Sequence, residues 1–395
     1  MDMNLLVLYP KSKRGQIMSF HRYLRPIIEK DVHEKVILLG GPRQVGKTTL
    51  SLSFLNPSIK SNENYLSWDA LADSEKMRGL QFSSQPIVIF DEIHKFKGWR
   101  NLVKSFYDKL YPEKQLIVTG SAKLDFYKRG GDSMLGRYFY FRLHPLTLHE
   151  IGYKASDLEQ LIQYGGFPEP FFKSDKRFLK RWQNEMIEKI VREDVNDLEN
   201  VKDLSSMELL SLALTDRVGS PLSINNLREN LDVSFDTVER WIQILERLFL
   251  VYRIAPYGAP RIRAVKKEKK LYFWNWTFVE NQGARWENLV AGHLMKYCDF
   301  MKDVHGERME LRYLRDIDGR EIDFVILKNN KPIMAVECKT GEKSASKWAS
   351  YFRERTSIPT FYQVHQGTKD FGSATKDIRV LPLTVFCEEV LQLKF

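Results

Sequence analysis

An α/β fold, with a parallel sheet held between helices, is predicted for the first third of the chain on three observations. Continuous apolar runs of strand length occur at Val36-Ile-Leu-Leu39, Pro86-Ile-Val-Ile-Phe90 and Gln115-Leu-Ile-Val-Thr119. Their lack of alternation is the pattern of strands buried on both faces. Each run ends in residues suited to chemistry, Gly40-Gly41, Asp91-Glu92 and Gly120-Ser121. In such sheets, ligands sit at the carboxyl ends of the strands.

The first run leads directly into Gly41-Pro-Arg-Gln-Val-Gly-Lys-Thr-Thr49 and then an apolar helix, so a GxxxxGK[ST] pattern lies between strand and helix. Gly41 and Gly46 let the backbone curl, so that N–H groups along Arg43, Gln44 and Val45, after Pro42, converge on phosphate. Lys47 adds a point charge for the β and γ phosphates of ATP, Thr48 a hydroxyl for magnesium, and Thr49 completes the loop. Asp91 would hold the same Mg2+ through water, and Glu92 would polarise the attacking water. Ser121, or else Thr119, would orient that water or sense the γ phosphate, the alternative being a capping serine. Arg137, in Gly136-Arg137 after a glycine-rich loop (129–133), would act as a finger on the γ phosphate of its own or a neighbouring chain, unless it is a solvated turn arginine. Asp69, after the strand around Tyr65 to Trp68, is read as a helix cap.

Length and charge bound the rest. At about 150 residues per domain, 395 residues imply two or three domains. Hydrophobic content of 43% and charged content of 28% are ordinary for a globular protein, which excludes general disorder. The formal charge of +10 favours anionic partners such as DNA, without naming one. Cys298, Cys338 and Cys387 have neither disulfide nor zinc spacing, and the run Leu5 to Tyr9 is too short for a membrane span. A cytoplasmic protein without a membrane partner is therefore expected. Residues 1–18 read as an N-terminal extension.

Taken together, residues 41–49, Asp91-Glu-Ile-His-Lys95, Thr119-Gly-Ser121, Leu135-Gly-Arg137 and Gly165-Gly-Phe-Pro-Glu169 resemble those of prokaryotic AAA-type ATPases that carry a C-terminal domain of unknown function. The resemblance covers nearly everything after Met18. It implies a P-loop NTPase core over 19–150, with an extra strand between the phosphate-loop strand and the Asp-Glu strand, and Glu92-dependent ATP hydrolysis. Asn275, in Trp274-Asn-Trp276, departs from the aspartate often found in relatives.

Beyond residue 150 the period becomes helical. Residues 151–200, with Trp182, Met186, Ile190 and Arg192-Glu-Asp194, predict a helical lid over or beside the nucleotide. Arg192 and Asp194 would reach phosphate or a neighbouring subunit, or else form a solvated charge run. Residues 201–260 predict a helix-turn-helix or winged-helix-like middle, its second helix exposing Thr237, Arg240 and Gln243 together with Asp236 and Glu239. Such a surface suits DNA or plain protein packing. The basic run Arg261 to Lys270, followed by the aromatic strand Leu271 to Trp276, would track a phosphate backbone and stack bases, or form a solvated hairpin over a buried strand.

The last third, 261–395, predicts an α/β domain with a second acidic centre. Period two places Glu337 and Lys339 on one strand face, with Val336 and Cys338 on the other, and sets Asp323 opposite Ile322 and Phe324. Two carboxylates on neighbouring strands, a nearby lysine and Glu287 on a helix would hold a second Mg2+ or Mn2+ for phosphodiester cleavage. The arrangement resembles the PD-(D/E)xK nuclease fold, a restriction-endonuclease-like architecture, with Ile322 where that signature often has proline. The sequence thus leads to an ATPase whose nucleotide state controls a nucleic-acid-binding, DNA-cleaving module. The alternative is a nucleotide-gated scaffold whose last domain binds protein, and either is compatible with a homo-oligomer.

Overall fold

A computed structural model describes residues 22–55, 63–124, 134–199, 201, 203–258 and 268–393. The expected extension at 1–18, the glycine-rich loop 129–133 and the basic residues 261–267 lie outside the described residues.

Five parallel strands form the first sheet: β1 (Val36–Gly40), β2 (Tyr65–Ser67), β3 (Ile87–Asp91), β4 (Gln115–Gly120) and β5 (Tyr138–Arg142). Their order is β2-β3-β4-β1-β5, so β4 is the inserted strand between phosphate loop and acidic strand. Gly40 pairs with Gly120, which brings the glycine loop and Ser121 out at the same edge. Each strand splits its side chains between two cores. Val36, Leu38, Phe90 and Val118 meet Val103 and Phe106 of the helix Trp99–Leu110. Ile37, Leu39, Ile89 and Ile117 turn to the other side, where Leu50 and the middle of the chain cover them. Burial on both faces explains the unbroken apolar runs.

Helices follow from Leu148, and the run Lys176–Leu198 contains a π-helical turn at Ile190–Asp194. The helix-turn-helix is present as Ile224–Leu231 and Phe235–Arg247, capped by Ser223 and Ser234. Its following strand departs from expectation. β6 (Val251–Pro256) pairs with β7 (Lys270–Phe273) and also, in parallel, with β8 (Met309–Arg315). A boundary at 260/261 would therefore cut a sheet. Pairing between residues more than fifty positions apart leaves no local signal in sequence.

The second sheet also contains β9 (Glu321–Lys328), β10 (Lys331–Cys338), β11 (Phe361–His365) and β12 (Arg379–Pro382), in the order β12-β11-β10-β9-β8-β6-β7. The helix Gln282–His305 covers one face and Lys347–Arg355 the other. Strict alternation fails on β9. Leu314 pairs with Ile322 but Arg312 with Val325, so Asp323 and Phe324 together oppose Tyr313 in a β-bulge. Ile322 and Phe324 consequently enter different cores, rather than sharing the face opposite Asp323. Among the described residues, no helix is long and apolar enough to cross a membrane.

Candidate nucleotide site and C-terminal charge centre

The glycine loop has the backbone its sequence requires. Gly41 has φ +154, and an added Cβ would lie 2.5 Å from the Leu143 carbonyl oxygen; Gly46, at φ +99, starts the helix Lys47–Leu52. Lys47 donates to the carbonyls of Gly41 at 3.0 Å and Pro42 at 2.8 Å. Burial lowers its pKa, and Glu92, Asp91 and Asp194 oppose that shift.

Asp91 is a buried acceptor for three hydroxyls: Thr48 at 2.9 Å, Tyr65 at 2.5 Å, and Thr119. Glu92 follows in the left-handed region, φ +55, a conformation that costs a non-glycine residue about 1–3 kcal/mol and is typical of functional positions. Its carboxylate accepts from Ser121 at 3.0 Å and lies 3.4 Å from His94 Nδ1. Burial lowers the His94 pKa, so the ring beside Glu92 is neutral at pH 7. The sequence reading missed His94 because it lies within the acidic motif and has no spacing signature of its own. It also missed Arg22, which donates to the Val45 carbonyl at 2.6 Å, to the His144 carbonyl and to Glu150 at 2.7 Å.

The lid reaches this cleft. Arg43 of the loop pairs with Asp194 at 2.7 Å and Glu193 at 3.1 Å, while Lys95 lies 3.8 Å from Asp197. Asp194 is only 2% exposed, and burial pushes its pKa up to about 6 despite Arg43. It is therefore no solvated charge run. Arg192 instead lies on the outer face, near Glu188 and Glu208.

Two expectations near the loop are corrected. Arg137 precedes β5 at the opposite edge of the sheet, where its carbonyl accepts from Val36 N and its side chain meets Asp108 and Tyr107. A five-residue strand, roughly 16 Å, separates it from the loop, so it is not a finger on its own chain's phosphate. Asp69 caps no helix; it accepts from Lys95 at 2.8 Å.

In the C-terminal domain, Glu287, Asp323, Glu337 and Lys339 are neighbours but do not converge. Glu287 accepts from Lys270 at 3.1 Å and Tyr272 at 2.7 Å, on the face covered by the helix Gln282–His305. Val336 and Cys338 pack toward that same face, so Glu337 emerges on the other, beside Gln363, and accepts from Lys339 at 2.6 Å. Asp323 lies between and accepts from Cys338 N at 2.7 Å. Burial and Asp323 raise the pKa of Glu287 to about 7 and that of Glu337 to about 8. Among the described residues, no group of three or more His, Cys, Asp or Glu could hold a metal ion, so the expected second metal shell is not formed. Nor is the aromatic strand a stacking platform, since Tyr272, Phe273 and Trp274 are buried. Arg240 is committed to Glu199 at 2.9 Å.

Strand, curled loop, helix and acidic strand together have the arrangement of a P-loop NTPase core. Residues 33–152 match the family model of an AAA domain. Residues 155–279 and 282–386 match two domains of unknown function, DUF8612 and DUF4143. The chain is similar to an uncharacterized protein of Methanocaldococcus jannaschii, 22% identical and covering 78% of this chain and 77% of the relative. Uncharacterized proteins of Haemophilus influenzae (24% identical; 79% and 84% covered) and Mycobacterium tuberculosis (27%; 75% and 71%) are also similar. Among solved structures, AMPPCP-bound DnaA from Aquifex aeolicus aligns with 62% of this chain and 92% of its own at 15% identity, with a TM-score of 0.29.

Proposed function

We propose that the chain binds ATP with magnesium at residues 41–49, hydrolyses it with Glu92 as the base, and passes its nucleotide state to the C-terminal domain. The observation that carries this reading is the Thr48–Asp91 hydrogen bond of 2.9 Å beside the loop lysine. Thr48 and Asp91 are the side chains that would hold magnesium, and the bound ion would supply charge neutralisation for the triphosphate. Lys47 moves from neutral carbonyls to phosphate oxygens, an exchange that favours the charged partner. Ser121 holds the Glu92 carboxylate, and Glu92 takes the proton of the attacking water.

A route out of the cleft starts at Val45. Arg22 holds its carbonyl and pairs with Glu150; Glu150 pairs with Lys296 on the helix that also carries Glu287. The test is ATP turnover by wild type and Glu92→Gln. A fall of about 10²–10⁴-fold with ATP binding retained is expected, whereas equal turnover in both would remove Glu92 from the mechanism.

A second reading, a nucleotide-gated scaffold whose last domain binds protein, is favoured over DNA cleavage by the burial of Tyr272 and Phe273 and by the pairing of Arg240. Salt separates the two partners. Several phosphate contacts would make DNA affinity fall steeply between low and moderate salt, and absence of DNA binding at low salt supports the scaffold.

A further inference from the structure

The C-terminal centre is organised around a lysine that sequence places at the end of a basic run. Lys270, at the start of β7, is 0% exposed. Its ammonium lies 3.1 Å from Glu287 and 4.0 Å from Asp323, and also pairs with Glu321. Burial opposes its charge, but Glu287, Asp323 and Glu321 outweigh burial and hold its pKa above the ordinary lysine value. The carboxylates are committed in turn. Tyr272 donates to the same Glu287 oxygen, Arg315 holds the second oxygen of Glu321 at 3.1 Å, and the second oxygen of Asp323 accepts from Cys338 N.

Magnesium demands near-octahedral oxygen ligation at about 2.0–2.1 Å, and a buried ammonium among the same oxygens both repels a divalent ion and takes its ligands. Glu337, on the other sheet face, cannot join Glu287 around one ion. We propose that Lys270 is the resident cation of this centre, occupying the position between Glu287, Glu321 and Asp323 that a divalent ion would need, so that the domain works without a metal. The centre is thereby an ionic joint between β7, β9 and the helix Gln282–His305. This inference stands independently of ATP hydrolysis.

The test counts Mn2+ ions bound to the full nucleotide-free chain by electron paramagnetic resonance titration. Wild type and Asp323→Asn are expected to bind the same number, because no ion uses Asp323. Lys270→Met removes the charge at similar length and is expected to gain one site, about tenfold tighter than any in wild type, which Lys270→Met/Asp323→Asn loses. A wild-type site that disappears in Asp323→Asn overturns the proposal, as does a folded Lys270→Met protein that gains nothing. Should Lys270→Met fail to fold by circular dichroism, the comparison of wild type with Asp323→Asn decides alone.

Discussion

Lys47 and Lys270 are both buried lysines surrounded by acids, yet their ammonium groups rest on different partners. Lys47 donates to two backbone carbonyls, with Asp91 and Glu92 occupied by hydroxyls nearby. Lys270 is clamped by carboxylates from a helix and from β9. Burial lowers the pKa of the first, while paired charge raises that of the second. A lysine on neutral acceptors gains by meeting a phosphate, because a charged acceptor binds it more strongly. One already neutralised by carboxylates has little to gain from a ligand and much to lose if exposed alone. The nucleotide loop is thus built to receive an anion, and the C-terminal centre to hold its own charges together.

This contrast can be broken at the network joining the two regions. Burial opposes ionisation of Glu150, but Arg22 and Lys296 hold its pKa below the usual carboxylate range. Arg22→Ala leaves a buried pair short of one partner, which costs about 3–5 kcal/mol. Urea unfolding should show that loss. A change under about 1 kcal/mol would mean that the link between Val45 and Lys296 is not a structural one.

A smaller effect is expected where the lid meets the loop. The folded-state pKa of Asp194 is raised to about 6 from an ordinary 3.8. The folded protein therefore holds a proton that the unfolded chain has released, and this group's contribution to stability falls as pH rises from about 4 to about 6. Asp194→Asn should flatten that slope in denaturant midpoints measured across the window. An unchanged slope would place the titrating group elsewhere.

The smallest effect belongs to Glu199, which pairs with Arg240 and Arg247 near the surface of the helix-turn-helix. Partly exposed pairs contribute about 1 kcal/mol or less. Glu199→Ala should lower stability by no more than that, and should leave ATP affinity unchanged if the helix pair is only packed beside the cleft. A severalfold change in affinity would make it part of the nucleotide response.

The nucleotide loop was legible in the sequence because its chemistry lies within nine consecutive residues, and the parallel sheet because burial on both faces writes itself as apolar runs. Arg22 was not, since its partners Glu150 and His144 are more than 120 positions away. Asp323 was misplaced by a bulge, which shifts strand phase without altering composition. Lys270 looked like the end of a basic surface run because local charge density carries no sign of the carboxylates that the helix Gln282–His305 and β9, with β8 and β6 between it and β7 in the sheet, bring to it. Arg137 failed for a related reason: a turn before a strand emerges at the edge away from the ligand, and the glycine pattern around it does not reveal which edge that is.

The central claim is that the loop binds a triphosphate through Lys47. Calorimetric titration of ATP into wild type and Lys47→Ala, both in magnesium buffer, tests it directly. Wild type is expected to bind one ATP and the variant about 100-fold more weakly, a difference of about 2.7 kcal/mol. Equal affinity in the two proteins, or no binding by wild type, would contradict it.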